Sequence, residues 1–174
     1  MSKQMKNVII LVEDLFNIFE FWYPYYRIKE AGMDVTVVGP EKGKSYTGKP
    51  ATDIKADLDA AGVTPEDYDG LVIPGGYAPD RMRRYPAMVD IVKQMDAAGK
   101  PIAAICHAGW MLVSANILRD RNVTSYMAIK DDVVNAGARW EDSPVVVDGN
   151  LVTSRTPDDL PVFMKAFLAA MGAA

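Results

Sequence analysis

The chain has 174 residues, 49% apolar and 24% charged, with a formal net charge of −4 and single copies of cysteine and histidine. That size and balance fit one globular domain over 1–174 with room for a sizeable core. They argue against four things: a nucleic-acid partner, since no Lys/Arg block stands out; a membrane span of about 18 apolar residues; an internal disulfide; and a structural zinc site, which needs several Cys and His ligands.

The N-terminal stretch MSKQMKNVIILVED has a short apolar core that meets acid at once and lacks a cleavage-site pattern. It reads as a first strand over 7–12, not a signal peptide, and with one unpaired cysteine the expected location is the cytoplasm. Residues 17–31 follow with apolar positions at Ile18, Phe19, Phe21, Trp22, Tyr25 and Ile28. That spacing predicts a helix with one buried face, closed by Gly32. Pro24 inside it predicts a kink or a late start. Residues 33–38 form a second strand, 43–54 a small hairpin or irregular excursion rich in turn formers, and 57–61 one helical turn. A third strand over 68–73 is stopped by Pro74-Gly75-Gly76.

An amphipathic helix spans 86–98, with Pro86 near its start and Gly99 after its end. A fourth strand over 101–105 runs straight into Cys106, and 108–118 turns helical. A strand over 123–126, a helix over 129–135 closed by Gly137, and a hairpin over 145–153 turning near Asp148-Gly149 come next. The last helix starts near 157–159, where acids favour an N-terminus, and runs to Met171. Strands alternating with helices predict a three-layer α/β domain with a mostly parallel sheet. In such sheets ligands sit at the carboxyl ends of the strands, which puts Gly75-Gly76 and Cys106 on one edge.

Cys106 lies where a strand meets a helix, with small residues two positions either side, Ala104 and Ala108, and Gly109 beyond. A nucleophile elbow needs that pattern, because its tip residue takes a strained backbone conformation. The helix N-terminus behind it would stabilise a thiolate and lower its pKa. The plain alternative is a buried, inert thiol, the commonest state of a free cysteine. The strand-to-helix junction, the small flanks and the glycine pair at another strand end favour the elbow. His107 is less direct, since adjacent side chains on a regular element do not face each other. Its imidazole returns to the thiol only if a third group holds it. Its backbone N–H is the usual oxyanion donor after a nucleophile, and Gly76 is the natural second donor; a plain turn at Pro-Gly-Gly is the alternative.

Glu20 sits among Phe19, Phe21, Trp22 and Tyr23. Buried there, its carboxyl would have a raised pKa and could pass protons to the thiol; on the polar face of the helix it would be an ordinary surface charge. The aromatic run Phe16, Phe19, Phe21, Trp22, Tyr23, Tyr25 and Tyr26 is wider than one buried stripe, so its surplus lines a pocket, covers an interface or rims a large core. Arg81, Arg83 and Arg84 beside Asp80 read first as a solvated basic face.

The stretches EFWYPYYR (20–27), LVIPGGYAPD (71–80), AICHAG (104–109), TSY (124–126), IKDD (129–132), NAG (135–137) and VVVDGN (145–150) occur in one order along nearly the whole chain. In them the chain resembles the ThiJ/PfpI family of the class I glutamine-amidotransferase-like superfamily, closest to its PfpI-type intracellular proteases. The resemblance implies a flavodoxin-like sandwich, a homodimer that often builds hexamers, Cys106 as nucleophile, Glu20 as the glutamate bonded to its sulfur, and His107 as the histidine of the protease-like branch. Asp80 falls where that branch has a glutamate reaching the histidine of a neighbouring subunit; aspartate is one methylene shorter.

Three functions follow. The leading expectation is a cysteine hydrolase of peptidase type: Cys106 attacks a carbonyl, His107 moves the proton, and the Gly76 and His107 amides hold the oxyanion. The alternative is a glyoxalase or deglycase acting on methylglyoxal or glycated groups, with Glu20 shuttling protons. The third is a redox sensor or chaperone without turnover. None calls for a metal or organic cofactor, and the partners are a small carbonyl or peptide substrate and copies of the chain. No GxGxxG or phosphate-loop pattern supports a nucleotide site.

Overall fold

The computed structural model describes residues 5–173. Strand β1 (Asn7–Leu11) leads into helix α1 (Ile18–Glu30), and β2 (Asp34–Gly39) follows. The Asn17 side chain caps α1 by accepting from the N–H groups of Phe19 and Glu20. Those bonds and the burial of Pro24 on the inner face let the helix start at Ile18 and run through the proline, so no late start occurs. The hairpin β3 (Ser45–Thr47) and β4 (Asp53–Lys55) is antiparallel, as the turn formers predict.

The helical turn expected at 57–61 is instead a two-residue strand, β5 (Leu58–Asp59), followed by a 3-10 turn. Asp57 fastens this segment to the edge of β2. Its carboxylate accepts from Val37 N–H at 2.8 Å and its own N–H donates to Val37 O at 2.8 Å.

Strand β6 (Gly70–Ile73), helices α2 (Ala78–Met82) and α3 (Pro86–Ala97), strand β7 (Ile102–Ile105) and helix α4 (Gly109–Ala115) come next. Helix α2 falls on a stretch with no helical pattern in the sequence. Helix α4 stops at Ala115 because Asn116 takes a left-handed conformation, φ 56°. Then come β8 (Asn122–Val123), α5 (Lys130–Asn135), β9 (Arg139–Trp140), the hairpin β10 (Val145–Asp148) and β11 (Leu151–Ser154), and α6 (Leu160–Ala170). Strand β8 ends at Val123 because Thr124 N–H bonds the Thr153 hydroxyl, not a backbone ladder.

The main sheet has the order β10-β11-β7-β6-β1-β2-β5, parallel except for β10 against β11. Helices cover both sides: α1 packs with α6, and α3 with α4. The central strands β6 and β7 are therefore buried along their whole length, which explains their unbroken apolar runs. The architecture is the predicted α/β/α sandwich with a mostly parallel sheet. The chain leaves β1 towards β2 and returns on the other side at β6, so the sheet switches direction between β1 and β6. Sheets of this kind bind ligands beyond the carboxyl ends of the strands at such a switch point. Among the described residues no helix is long and apolar enough to cross a membrane.

Candidate active site

Three neighbouring strands deliver three groups to that edge of the sheet: Glu20 after β1, Gly75-Gly76 after β6, and Cys106 after β7. The loops after β1 and β6 are stitched together. Asn17 N–H donates to Gly75 O at 3.2 Å, and Tyr77 N–H to Leu15 O at 3.0 Å. This close crossing leaves no space for side chains. A Cβ on Gly76 (φ 76°) would lie 2.4 Å from Leu15 O, and one on Gly75 would lie 2.7 Å from Cys106 Cβ and 2.6 Å from Glu20 Oε2.

The elbow forms as the sequence predicts. Cys106 has φ 61°, a region that costs a non-glycine residue of the order of 1–3 kcal/mol. Ala104 and Ala108 are buried beside it, and the turn runs through a 3-10 segment into α4. The backbone N–H groups of Gly76 and His107 both approach the sulfur. The structure therefore brings both expected donors to the Cys106 sulfur.

Glu20 is completely buried. Its Oε2 accepts from Gly75 N–H at 2.8 Å, while Oε1 is enclosed with no hydrogen-bond partner among the described residues. Burial pushes its carboxyl up to about 7, against smaller opposing contributions from the Gly75 amide and the Cys106 thiol. The Cys106 thiol is pushed up to about 12, by burial first and then by the negative charge of Glu20, with the His107 and Gly76 amides pulling the other way. This corrects the expectation of a low-pKa thiolate. The partial charge of a helix end is worth less than desolvation plus a full carboxylate charge beside the sulfur. Glu20 acts on the thiol mainly through its charge, with a smaller side-chain hydrogen-bond contribution. The resting site holds a thiol beside a carboxyl that is half ionised near neutrality.

His107 Nδ1 lies 3.3 Å from Cys106 Sγ, so the imidazole does curl back to the thiol. Burial lowers its pKa, which keeps it neutral at pH 7. Asp80 is not brought to it within the chain. Its carboxylate is exposed and accepts from Arg84 at 2.6 Å in an i,i+4 pair. Around the imidazole stand Trp110, Tyr126 and Tyr77, with ring centroids 5.1, 5.0 and 6.4 Å away.

The DJ-1/PfpI family matches residues 6–170. The chain is 47% identical over 162 residues to "Deglycase PH1704" of Pyrococcus horikoshii, covering 93% of this chain and 97% of that one. The chain belongs to the DJ-1/PfpI family. This is the ThiJ/PfpI resemblance seen in the sequence. "Putative cysteine protease YraA" of Bacillus subtilis is 39% identical over 163 residues, covering 94% and 96%. Among solved structures, a protein of Anabaena variabilis with DJ-1/ThiJ/PfpI-like and ferritin-like domains superposes with TM-score 0.95 at 40% identity. The match covers 97% of this chain and 48% of that two-domain protein.

In this DJ-1/PfpI member the aromatic wall around His107 went unread in the sequence. One signal for it was available: Trp110 stands three residues after His107 at the start of a helical stretch, the spacing that stacks side chains on one face. Tyr126 reaches the site only through tertiary structure, where its N–H donates to Cys106 O at 3.3 Å. The assembled groups are a strained cysteine thiol, a buried carboxyl with a pKa near neutrality, two backbone amides and a neutral imidazole. They suit covalent chemistry on a carbonyl, and among the described residues no cluster of His, Cys, Asp and Glu has the form of a metal site.

Proposed function

We propose that this DJ-1/PfpI enzyme is a cofactor-independent deglycase with glyoxalase-type chemistry, using Cys106 as nucleophile and Glu20 as the proton shuttle. One observation carries the reading: a fully buried carboxyl with a pKa of about 7 sits against the thiol, while among the described residues no carboxylate hydrogen-bonds the imidazole. A base that titrates near the working pH is the efficient one, and here it is Glu20. The names of relatives, deglycase in the main, favour the same choice over the peptidase reading.

Sγ attacks the aldehyde-level carbon of an α-oxoaldehyde, or of its early adduct with an amine, as the Glu20 carboxylate takes the thiol proton. With an adduct, the carbon–nitrogen bond breaks towards nitrogen and the amine leaves with a proton. The product in either case is a hemithioacetal, whose oxygen the Gly76 and His107 amides stabilise as charge develops. Glu20 returns the thiol proton to that oxygen, or to the departing amine, and then carries a proton from the sulfur-bearing carbon to the adjacent one. A hydroxy-acyl thioester results, with no external oxidant or reductant. Water cleaves it to the hydroxy acid and regenerates the thiol.

The contact between Sγ and Nδ1 favours a second reading, a peptidase-type hydrolase in which His107 takes the proton. Methylglyoxal adducts of N-acetyl-arginine, -lysine and -cysteine, assayed beside a fluorogenic peptide, separate the two. Lactate release should vanish in Cys106→Ser, fall about 100-fold or more in Glu20→Gln and about tenfold in His107→Ala. Peptide cleavage that survives Glu20→Gln and is abolished by His107→Ala, without lactate release, overturns the deglycase reading. We further propose a cytoplasmic homodimer, in keeping with the large exposed rings of Phe19, Tyr23 and Tyr26 along α1.

A further inference from the structure

An imidazole curled back onto the residue before it has to be held there, because adjacent side chains diverge by default. Three rings surround His107, and of these Trp110 is itself anchored from two sides. Its Nε1 donates to Asp132 Oδ2 at 2.8 Å, a residue of α5. The Arg83 guanidinium, just past α2, lies over the indole 5.9 Å from its centroid. Arg83 is held in turn by its Nε donating to the Ser114 hydroxyl at 2.9 Å. The indole is thus gripped between α5 and the end of α2, one turn beyond the elbow, with its ring against the imidazole. Tyr126 closes the other side, fixed by its backbone bond to Cys106.

We propose that Trp110, pinned by Asp132 and Arg83, is the positioning residue that holds the His107 imidazole against the Cys106 thiol. In this chain the third group behind the histidine is an aromatic wall, and the carboxylate acts one step removed, on the indole N–H. The effect on turnover rests on the deglycase reading above; the effect on the imidazole does not. A released ring gains rotamers and leaves the 3.3 Å contact with sulfur, so the loss approaches the roughly tenfold one expected when the imidazole itself is removed.

The chain has a single histidine, so the one imidazole Hε1 line in the proton NMR spectrum of the tag-free protein reports its surroundings directly. Trp110→Leu should move that line and lower kcat on a methylglyoxal–lysine adduct about tenfold with KM unchanged. Asp132→Ala, an exposed change that leaves the core untouched, should shift the line and lower kcat the same way but less. Asp132→Asn, whose amide oxygen still accepts the indole N–H, should recover most of both. The proposal is overturned if Trp110→Leu leaves the line in place, if Asp132→Asn behaves like Asp132→Ala, or if Asp80→Asn alone moves the line and lowers kcat to the same extent. That last result would hand the imidazole to a carboxylate of a second copy. Wild-type protein inactive on every adduct would refute the deglycase reading, and the histidine line would still decide the positioning role.

Discussion

Glu20 concentrates the chemistry of the site and its cost. Its pKa in the fold, about 7, exceeds the ordinary 4.5, so between those pH values the native protein holds a proton that the unfolded chain has released. Stability contributed by the protonated carboxyl is therefore complete below pH 4.5 and falls as pH rises towards 7, by about 3 kcal/mol in all. Urea unfolding at pH 5 and pH 8 should show this decline in the wild type and little of it in Glu20→Gln, making the variant the more stable protein at pH 8. The same substitution removes a negative charge that raises the Cys106 thiol. Iodoacetamide at pH 9 should thus capture Cys106 faster in Glu20→Gln than in wild type, even as turnover is lost. Slower capture would mean the carboxyl activates the resting sulfur instead of opposing its ionisation.

At the scale of elements, the site is two stitched loops and an elbow, and much of that was legible. The apolar, β-branched runs at 7–12, 68–73 and 101–105 identify the strands whose ends meet. The small flanks Ala104 and Ala108 announce the turn at Cys106, and the paired glycines announce a close approach. The short pieces were not legible. Helix α2 grows from Pro79 in a stretch that reads as loop, and β5 exists because Asp57 is tied to Val37, a long-range bond that no local pattern encodes. The thiol's acidity was misread because a local feature, the helix end, is visible in sequence, whereas a carboxylate 86 positions away arrives only with the fold. Gly76 tests the stitching. In Gly76→Ala the new methyl meets backbone atoms on the facing loop, at 2.4 Å from Leu15 O and 2.6 Å from Asn17 N, in a conformation alanine disfavours. We expect a loss of about 2 kcal/mol or more in stability, together with loss of lactate release as one oxyanion donor is displaced.

The whole molecule presents a row of large rings to solvent along α1. Phe19 and Tyr26 are each about 60% exposed, and the Trp22 and Tyr26 rings stack with centroids 5.8 Å apart. Contiguous apolar surface of this kind marks a contact face. On size exclusion the chain should run as a dimer or larger, and Tyr26→Lys should shift it towards monomer; a wild-type monomer at micromolar concentration would exclude α1 as an assembly face. The sheet order has a further consequence for how such a protein diversifies. Cys106, Gly76 and Glu20 follow adjacent rungs of one ladder, β7, β6 and β1, whose spacing of about 4.8 Å belongs to the backbone. Random substitution leaves that interval alone. What selection can retune is the exposed rim of Tyr77 and Tyr126, so new substrates should be reached by repainting the doorway while the machinery behind it keeps its dimensions.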